Sequence, residues 1–398
     1  MKENFGIKRL LSIAFIAILC VWFIKSGAFH TVPLLFDYLS QNDRKADGAL
    51  SISGIETNYN AGLWKQREFI DLNGFMARQL HMQGYYSNLG MYVADNGYIL
   101  PRYGKTSTDF EYEQTVSFRD FLEANGIDLL YVNEMTKYTD DSIIRNAFGV
   151  ESYTNRNMDT FLSRIRKANV NAIDLRDNVA QENIDISGLF YRTDHHWTVP
   201  AGLWATRIMA DGLNKYCGYN IDLSIYDTEN YETRSWTSCW LGEQGRKVAV
   251  TYVGLDDFTE IKPKFKTSYT FKKNDGSTYE GTFDDFVNEK TYNTENNVYE
   301  NPSWHYSYSR INCINNNVEK GKVLLLADSF DQVTHCFLSL GVHEVDSIIL
   351  RNYDDQFSLR DFILNNGYDT VIVAYAQFMV GAHDNKSSAN YRMFTFEY

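Results

Sequence analysis

The sequence predicts an α/β fold in which a parallel sheet is flanked by helices and interrupted by a β-rich insertion. Three observations carry this. From Phe118 onward, helical spacing alternates with short apolar runs, the rhythm of a sheet whose strands are covered on both faces. That rhythm breaks between about 220 and 315, where strand-like segments flank a hairpin turn, and resumes at Val323. One apolar run, Leu324-Leu325-Leu326-Ala327-Asp328-Ser329-Phe330, ends abruptly on a serine, which puts a hydroxyl at the carboxyl edge of the sheet.

The elements follow in order. Lys2, Lys8 and Arg9 precede the uncharged run 10–24, closed by Lys25. Its fifteen residues fit a signal peptide better than a full span of about twenty. Ser26-Gly27-Ala28 offers the small residues of a cleavage site, while the mildly apolar stretch 27–36 can extend the run into an uncleaved anchor. Residues 1–28 are therefore read as a signal peptide or N-terminal membrane anchor. The leading positive charges place the remainder outside the cytoplasm. Residues 29–100 are polar and turn-rich and are expected to form an extension packing on the core.

Residues 118–122 read as helix, Gly126 as its stop, and 127–132 as a buried strand. Phe161, Leu162 and Ile165 share one face of a helix over 159–167, before a strand near 170–175. Thr198 caps a further helix that tolerates Pro200 in its first turn and buries Leu203, Trp204, Ile208 and Leu213. Inside the insertion, 248–253 is strand-like, and Asn274-Asp275-Gly276 joins two strands in a hairpin. Strands at 323–326, 347–350 and 370–374 then alternate with helices after Phe330 and near 359–364.

A chain of 398 residues with 44% hydrophobic content supports a substantial core. Its formal charge of −13 argues against nucleic acid as a partner. Aromatics reach 15% with 28 Tyr, which suits sugar stacking but is better explained by core filling and compositional bias. Outside the leader stand Cys217, Cys239, Cys313 and Cys336. Two disulfides in any of three pairings are open to them, as are free buried thiols.

Asp194-His195-His196-Trp197 stands directly before the Thr198 cap. On an extended segment, residues i and i+2 share a side, so Asp194 and His196 are expected to converge while His195 faces away. A carboxylate that fixes the imidazole tautomer, an imidazole that takes the proton of Ser329, and backbone N–H groups at a helix start together suit acyl transfer. Asp328 is expected to shape the turn. The blander alternatives are a helix N-cap for Ser329 and a polar loop pair for Asp194 and His196. A zinc site is disfavoured because adjacent histidines are expected to diverge.

These residues carry a family resemblance. Asp194-His195-His196-Trp197, with Thr198 and Gly202, resembles the signature of the DHHW protein family. That family is similar to the alginate O-acetyltransferase type of SGNH-hydrolase-like proteins. Ala327-Asp328-Ser329-Phe330 resembles the Gly-Asp-Ser-Phe nucleophile block of that group, with Ala327 in place of the glycine. The Asp-x-His pair precedes the serine, the permuted order of the acetyltransferase branch.

The resemblance runs from about Ile99 to the C-terminus. It implies an SGNH-hydrolase-like catalytic domain over 101–398, with Ser329, His196 and Asp194 catalytic and with no cofactor or metal. In the acetyltransferase branch an arginine and a tyrosine follow the serine at strand ends, which implies oxyanion or substrate roles for Arg351 and Tyr375, with Asn352 beside them. Residues 241–246 resemble a Gly-and-Arg loop of the same family and are expected to bring Arg246 to the mouth of the site.

The implied function is extracytoplasmic O-acetylation of a cell-surface or secreted polysaccharide through an acetyl-serine. A membrane-bound O-acyltransferase would supply the acetyl group. A carbohydrate acetylesterase is the alternative within the same chemistry. A non-catalytic glycan-binding or assembly protein on an SGNH fold is the alternative outside it, and Ala327 gives that reading its standing.

Overall fold

A computed structural model of the chain describes residues 2–25, 29–40, 59, 63–82, 90–287, 309–354, 356–381 and 390–396. The chain divides into two compact units, 1–76 and 77–398. The first holds helices α1 (Lys2–Phe23) and α2 (Phe29–Ser40), and helix α3 (Gln66–Gln79) runs across the division. Where a turn-rich extension was expected, the described residues of this stretch are thus largely helical. Among the described residues no helix is long and apolar enough to cross a membrane. The small residues 26–28 lie outside the described residues.

The second unit opens with a hairpin of β1 (Met91–Val93) and β2 (Ile99–Pro101). Helix α4 (Asp109–Ala124) leads to β3 (Asp128–Glu134), then come α5 (Ser142–Phe148), α6 (Thr154–Lys167), β4 (Asn171–Asp174) and α7 (Leu175–Glu182). Helix α8 (Val199–Tyr216) begins where the sequence placed it. Thr198 is its N-cap, accepting from the Ala201 amide, and Pro200 sits in the first turn. Leu203, Ile208 and Leu213 are buried on its inner face. Trp204 is only half-buried and donates to Glu182 at 2.9 Å instead.

The insertion forms β5 (Tyr231–Trp240), α9 (Glu243–Val248), α10 (Val250–Val253), β6 (Asp256–Pro263), β7 (Tyr269–Lys272) and β8 (Thr278–Gly281). Two expectations change here. Residues 248–253 form helical turns rather than a strand. Val248, Tyr252 and Val253 are buried together with Met91, Val93 and Ile99, so tertiary packing overrides the β-branched composition. The hairpin β7–β8 does form around the turn carrying Gly276, but it joins the main sheet rather than standing apart.

After β9 (Arg310–Asn315) come β10 (Lys322–Leu326), α11 (Asp331–Leu338), β11 (Glu344–Ile348), α12 (Leu359–Asn366) and β12 (Thr370–Ala376). The sheet runs β4-β3-β12-β10-β11-β9-β7-β8. Strands β4, β3, β12, β10 and β11 are parallel neighbours, and β9, β7 and β8 extend them antiparallel. The sheet is therefore mixed, not purely parallel. From β10 the chain steps to β11 on one side, then crosses back to β12 on the other. The carboxyl end of β10 is thus a topological switch point, where the flanking crossovers diverge and leave a crevice. Ser329 stands there. All five cysteines are free thiols, so neither of the possible disulfides forms.

Helices α8 and α11 pack so closely that Gly202 is required. A Cβ on residue 202 would lie 2.4 Å from Val333 Cγ1, far inside contact distance. Gly202→Ala is expected to lower stability by about 1–3 kcal/mol through overpacking. Adding Val333→Ala should recover part of the loss, because it empties the space the new methyl needs. Thermal unfolding of the two single variants and the double variant checks this, and strictly additive losses would contradict it.

Candidate active site

The turn that carries Ser329 is built from buried carboxylates. Asp328 is fully buried, and its two oxygens accept from the Phe330 amide at 2.8 Å and from the Ala376 amide at the end of β12 at 2.7 Å. Its own amide donates to Asp331 Oδ2 at 3.2 Å. One side chain thus ties the turn after β10 to the neighbouring strand, so Asp328 shapes the turn. Ser329 remains half-exposed. Its N–H makes no hydrogen bond among the described residues.

The opposing loop brings the other two groups. Asp194 is buried. Its Oδ1 accepts from His196 Nδ1 at 2.6 Å and from the His196 amide at 3.1 Å. His196 Nε2 lies 2.8 Å from Ser329 Oγ. Ser329, His196 and Asp194 therefore form one continuous hydrogen-bonded chain. Trp197 fixes its two halves together: its indole is buried and donates to the Phe330 carbonyl at 3.1 Å.

Burial would raise the Asp194 carboxyl, but the charge and hydrogen bond of His196, with His195 and the Glu243 amide, outweigh it. Asp194 is held well below the usual carboxylate range and stays ionised. Its Oδ2 accepts from the Glu243 amide at 2.7 Å, at the start of α9. This approach needs a glycine beside it, because a Cβ on Gly242 would meet Asp194 Cβ at 2.5 Å and the Thr193 carbonyl at 2.6 Å. The Gly-and-Arg stretch flagged in the sequence thus packs on Asp194 itself.

Two further groups carried no local signal. Asp256, buried at the start of β6, accepts from the backbone amides of Arg192 and Thr193, each at 2.9 Å. Lys137 is buried, and its ammonium donates to the Ile99 carbonyl at 3.0 Å and the Arg192 carbonyl at 2.9 Å. Burial pushes its pKa down to about 7 against the pull of Asp194 and Asp256. Both groups clamp the loop that presents Asp194. Only the fold brings them there.

His195 does not face away. Residues 192–196 bend rather than extend, so the His195 ring lies 3.9 Å from that of His196 between centroids, and its Nδ1 is 3.5 Å from Asp194 Oδ1. Burial and the neighbouring His196 charge push it down to about 4. Asp194, His195 and His196 accordingly offer three ligand atoms within 4.8 Å of one another, so divergence of the histidines is no argument against a metal. What weighs against one is that both His196 ring nitrogens already have partners.

The remaining sequence candidates scatter. Tyr375 does not reach Ser329: it is fully buried and its hydroxyl donates to the Met393 carbonyl at 2.8 Å. Arg351, half-buried after β11, lies near enough for its charge to favour the Asp328 carboxylate. Asn352 is exposed and makes no side-chain hydrogen bond among the described residues. Arg246 is half-buried on α9 and makes no side-chain hydrogen bond or ion pair among the described residues.

Residues 97–289 match the family model of the SGNH hydrolase-like domain of the acetyltransferase AlgX. The match takes in Asp194 and His196 and stops short of Ser329. No curated protein matches the sequence. Among solved structures, Bacillus cereus PatB1 is similar at 17% identity over 77% of this chain and 99% of its own, with a TM-score of 0.61. PatB1 with a sulfonyl adduct gives 18% identity, 77% and 98% coverage and a TM-score of 0.60. A DHHW family protein from Eubacterium siraeum gives 16% identity, 77% and 95% coverage and a TM-score of 0.57. Residues 97–289 are thus similar to the SGNH hydrolase-like domain of AlgX, and the solved structures share the fold at low identity.

Glu134, at the end of β3, adds a third buried carboxyl to Asp328 and Asp331. Burial, then the charges of Asp331 and Asp328, raise Glu134 well above the carboxylate range. A raised carboxyl contributes stability at low pH that is lost as pH rises towards its folded value, since the unfolded state releases the proton first. Glu134→Gln keeps a neutral group there. It should raise the unfolding temperature by more than about 3 °C at pH 8 and have little effect at pH 4. Equal effects at both pH values would contradict a protonated Glu134.

Proposed function

We propose that the protein is an extracytoplasmic O-acetyltransferase that modifies hydroxyls of a cell-surface or secreted polysaccharide through an acetyl-serine. The observation that carries this is the continuous hydrogen-bonded chain from Ser329 through His196 to the buried, ionised Asp194. The AlgX acetyltransferase domain match supports the reaction class.

Ser329 Oγ passes its proton to His196 Nε2 and attacks the acetyl carbonyl. Asp194 accepts from Nδ1–H and stabilises the imidazolium that forms. The unbonded Ser329 amide is a backbone donor available to the developing oxyanion, and Arg351 adds positive charge on the Asp328 side. Collapse of the intermediate expels the donor's leaving group with the proton from His196. An acceptor hydroxyl then gives its proton to His196, attacks the acetyl-serine and leaves as the ester, restoring Ser329.

A membrane-bound O-acyltransferase is the expected acetyl supplier, and the N-terminal apolar run keeps the chain at or beyond the membrane. The half-exposure of Ser329 and His196 favours a second outcome: water takes the acceptor's place and the same machinery acts as an acetylesterase.

The test is p-nitrophenyl acetate turnover by the purified protein and its variants. Ser329→Ala and His196→Ala are expected to lose roughly 10³-fold or more of kcat/KM with unchanged circular dichroism. Asp194→Asn should lose most of the activity by orienting the wrong imidazole tautomer. Wild type turning over no faster than the variants would move the function to non-catalytic glycan binding.

A further inference from the structure

A cleft of about 450 Å³ opens beside the site, between the segment after β2 and the segment after β12. That volume lies in the range of ordinary ligand sites. Two half-exposed aromatic rings face each other across its wall: Tyr103 and Phe378 stack with centroids 6.0 Å apart and planes 8° from parallel. Phe378 in turn lies 5.9 Å from the His195 ring and 6.3 Å from Phe330. Since the His195 ring packs at a 36° tilt against that of His196 and Phe330 follows Ser329, aromatic rings lead from the cleft to the hydrogen-bonded chain.

The cleft is built rather than incidental. Asn157 donates from Nδ2 to the Gly104 carbonyl at 3.0 Å, and Thr106 Oγ1 donates to the Gly381 carbonyl at 3.0 Å, so the two walls are joined. Gly381 itself has φ +83° and donates to buried Glu111 at 2.9 Å. The charge pattern is informative as well. In a chain of net charge −13, no carboxylate among the described residues lines this cleft, whereas an exposed lysine, Lys105, does.

We propose that this cleft receives the acceptor glycan, with pyranose faces stacking on Tyr103 and Phe378 and Lys105 holding the sign of the local field neutral to positive. The proposal rests on reading the Ser329 site as an acyltransferase, and it names where the acceptor chain lies relative to that site. Flat aromatic faces beside amide and hydroxyl groups suit a ligand that is apolar on its ring face and polar at its rim.

The test is binding to the full-length Ser329→Ala variant, which requires no turnover. Cellohexaose and chitohexaose serve as neutral probes and hexagalacturonate as an acidic one, followed by calorimetry. At least one should bind, and Phe378→Ala should weaken it tenfold or more. Phe378→Leu, which keeps apolar volume and removes the ring face, should do nearly the same. Tyr279→Ala, on the distant β7–β8 hairpin, should not. A stronger loss of hexagalacturonate binding in Lys105→Ala than of the neutral probes would identify an acidic acceptor, and equal small losses a neutral one.

Failure of all three probes to bind at millimolar concentration, or binding that Phe378→Leu and Phe378→Ala leave unchanged, overturns the cleft assignment while leaving the serine chemistry intact. Binding that follows the Phe378 variants in a protein without acetyl turnover leaves the cleft and removes the acyltransferase reading.

Discussion

A buried, ionised carboxylate organises this molecule. Asp194 sits out of water, and breaking such a pair by removing one partner costs about 3–5 kcal/mol. The fold therefore surrounds it with donors: the His196 ring and amide on one oxygen, the Glu243 amide on the other. Each donor constrains a piece of chain. The Glu243 amide requires the glycine at 242, the ring orientation of His196 aims Nε2 at Ser329, and the bend that serves both folds His195 back onto the pair. Asp256 and Lys137 then hold the loop's backbone from outside.

The sheet supplies the other half. Ser329 sits at the end of the strand from which the crossovers diverge to β11 and β12. Asp328 uses that divergence, bonding to the β12 amide of Ala376 that becomes available there. Trp197 and the close contact of Gly202 with Val333 then lock the loop of Asp194 onto the helix behind Ser329. The relative placement of the His196 imidazole and the Ser329 hydroxyl is thus set by two packed helices and a sheet edge rather than by flexible loops, as the proposed acid–base pair requires. The insertion contributes both a widened sheet and, through α9, the amide that completes Asp194.

What could be read from the chain was what local chemistry determines. The Thr198 cap, the hairpin at Asn274-Asp275-Gly276, the apolar strand ending at Ser329 and the Asp-x-His pair all announce themselves within a few residues. Longer-range effects did not. Residues 248–253 have strand composition, yet Val248 and Tyr252 pack on the β1–β2 hairpin as helical turns. An extended backbone would turn His195 away, and the bend held by Asp256 reverses it. Tyr375 has a plausible position at a strand end, but pleat alternation buries its hydroxyl against Met393. Lys137 and Asp256 lie 57 and 62 residues from Asp194 in sequence, and nothing in their neighbourhoods marks them.

The proposed chemistry requires that Ser329 carry the acyl group. Its most direct test is brief incubation of the protein with an activated acetyl ester without acceptor, acid quench, and peptide mapping by mass spectrometry. One added acetyl group is expected on the peptide containing Ser329, absent in His196→Ala and discharged when a glycan acceptor is added before the quench. An unmodified Ser329 peptide, or acetyl accumulating at lysines to the same extent in wild type and His196→Ala, would contradict it.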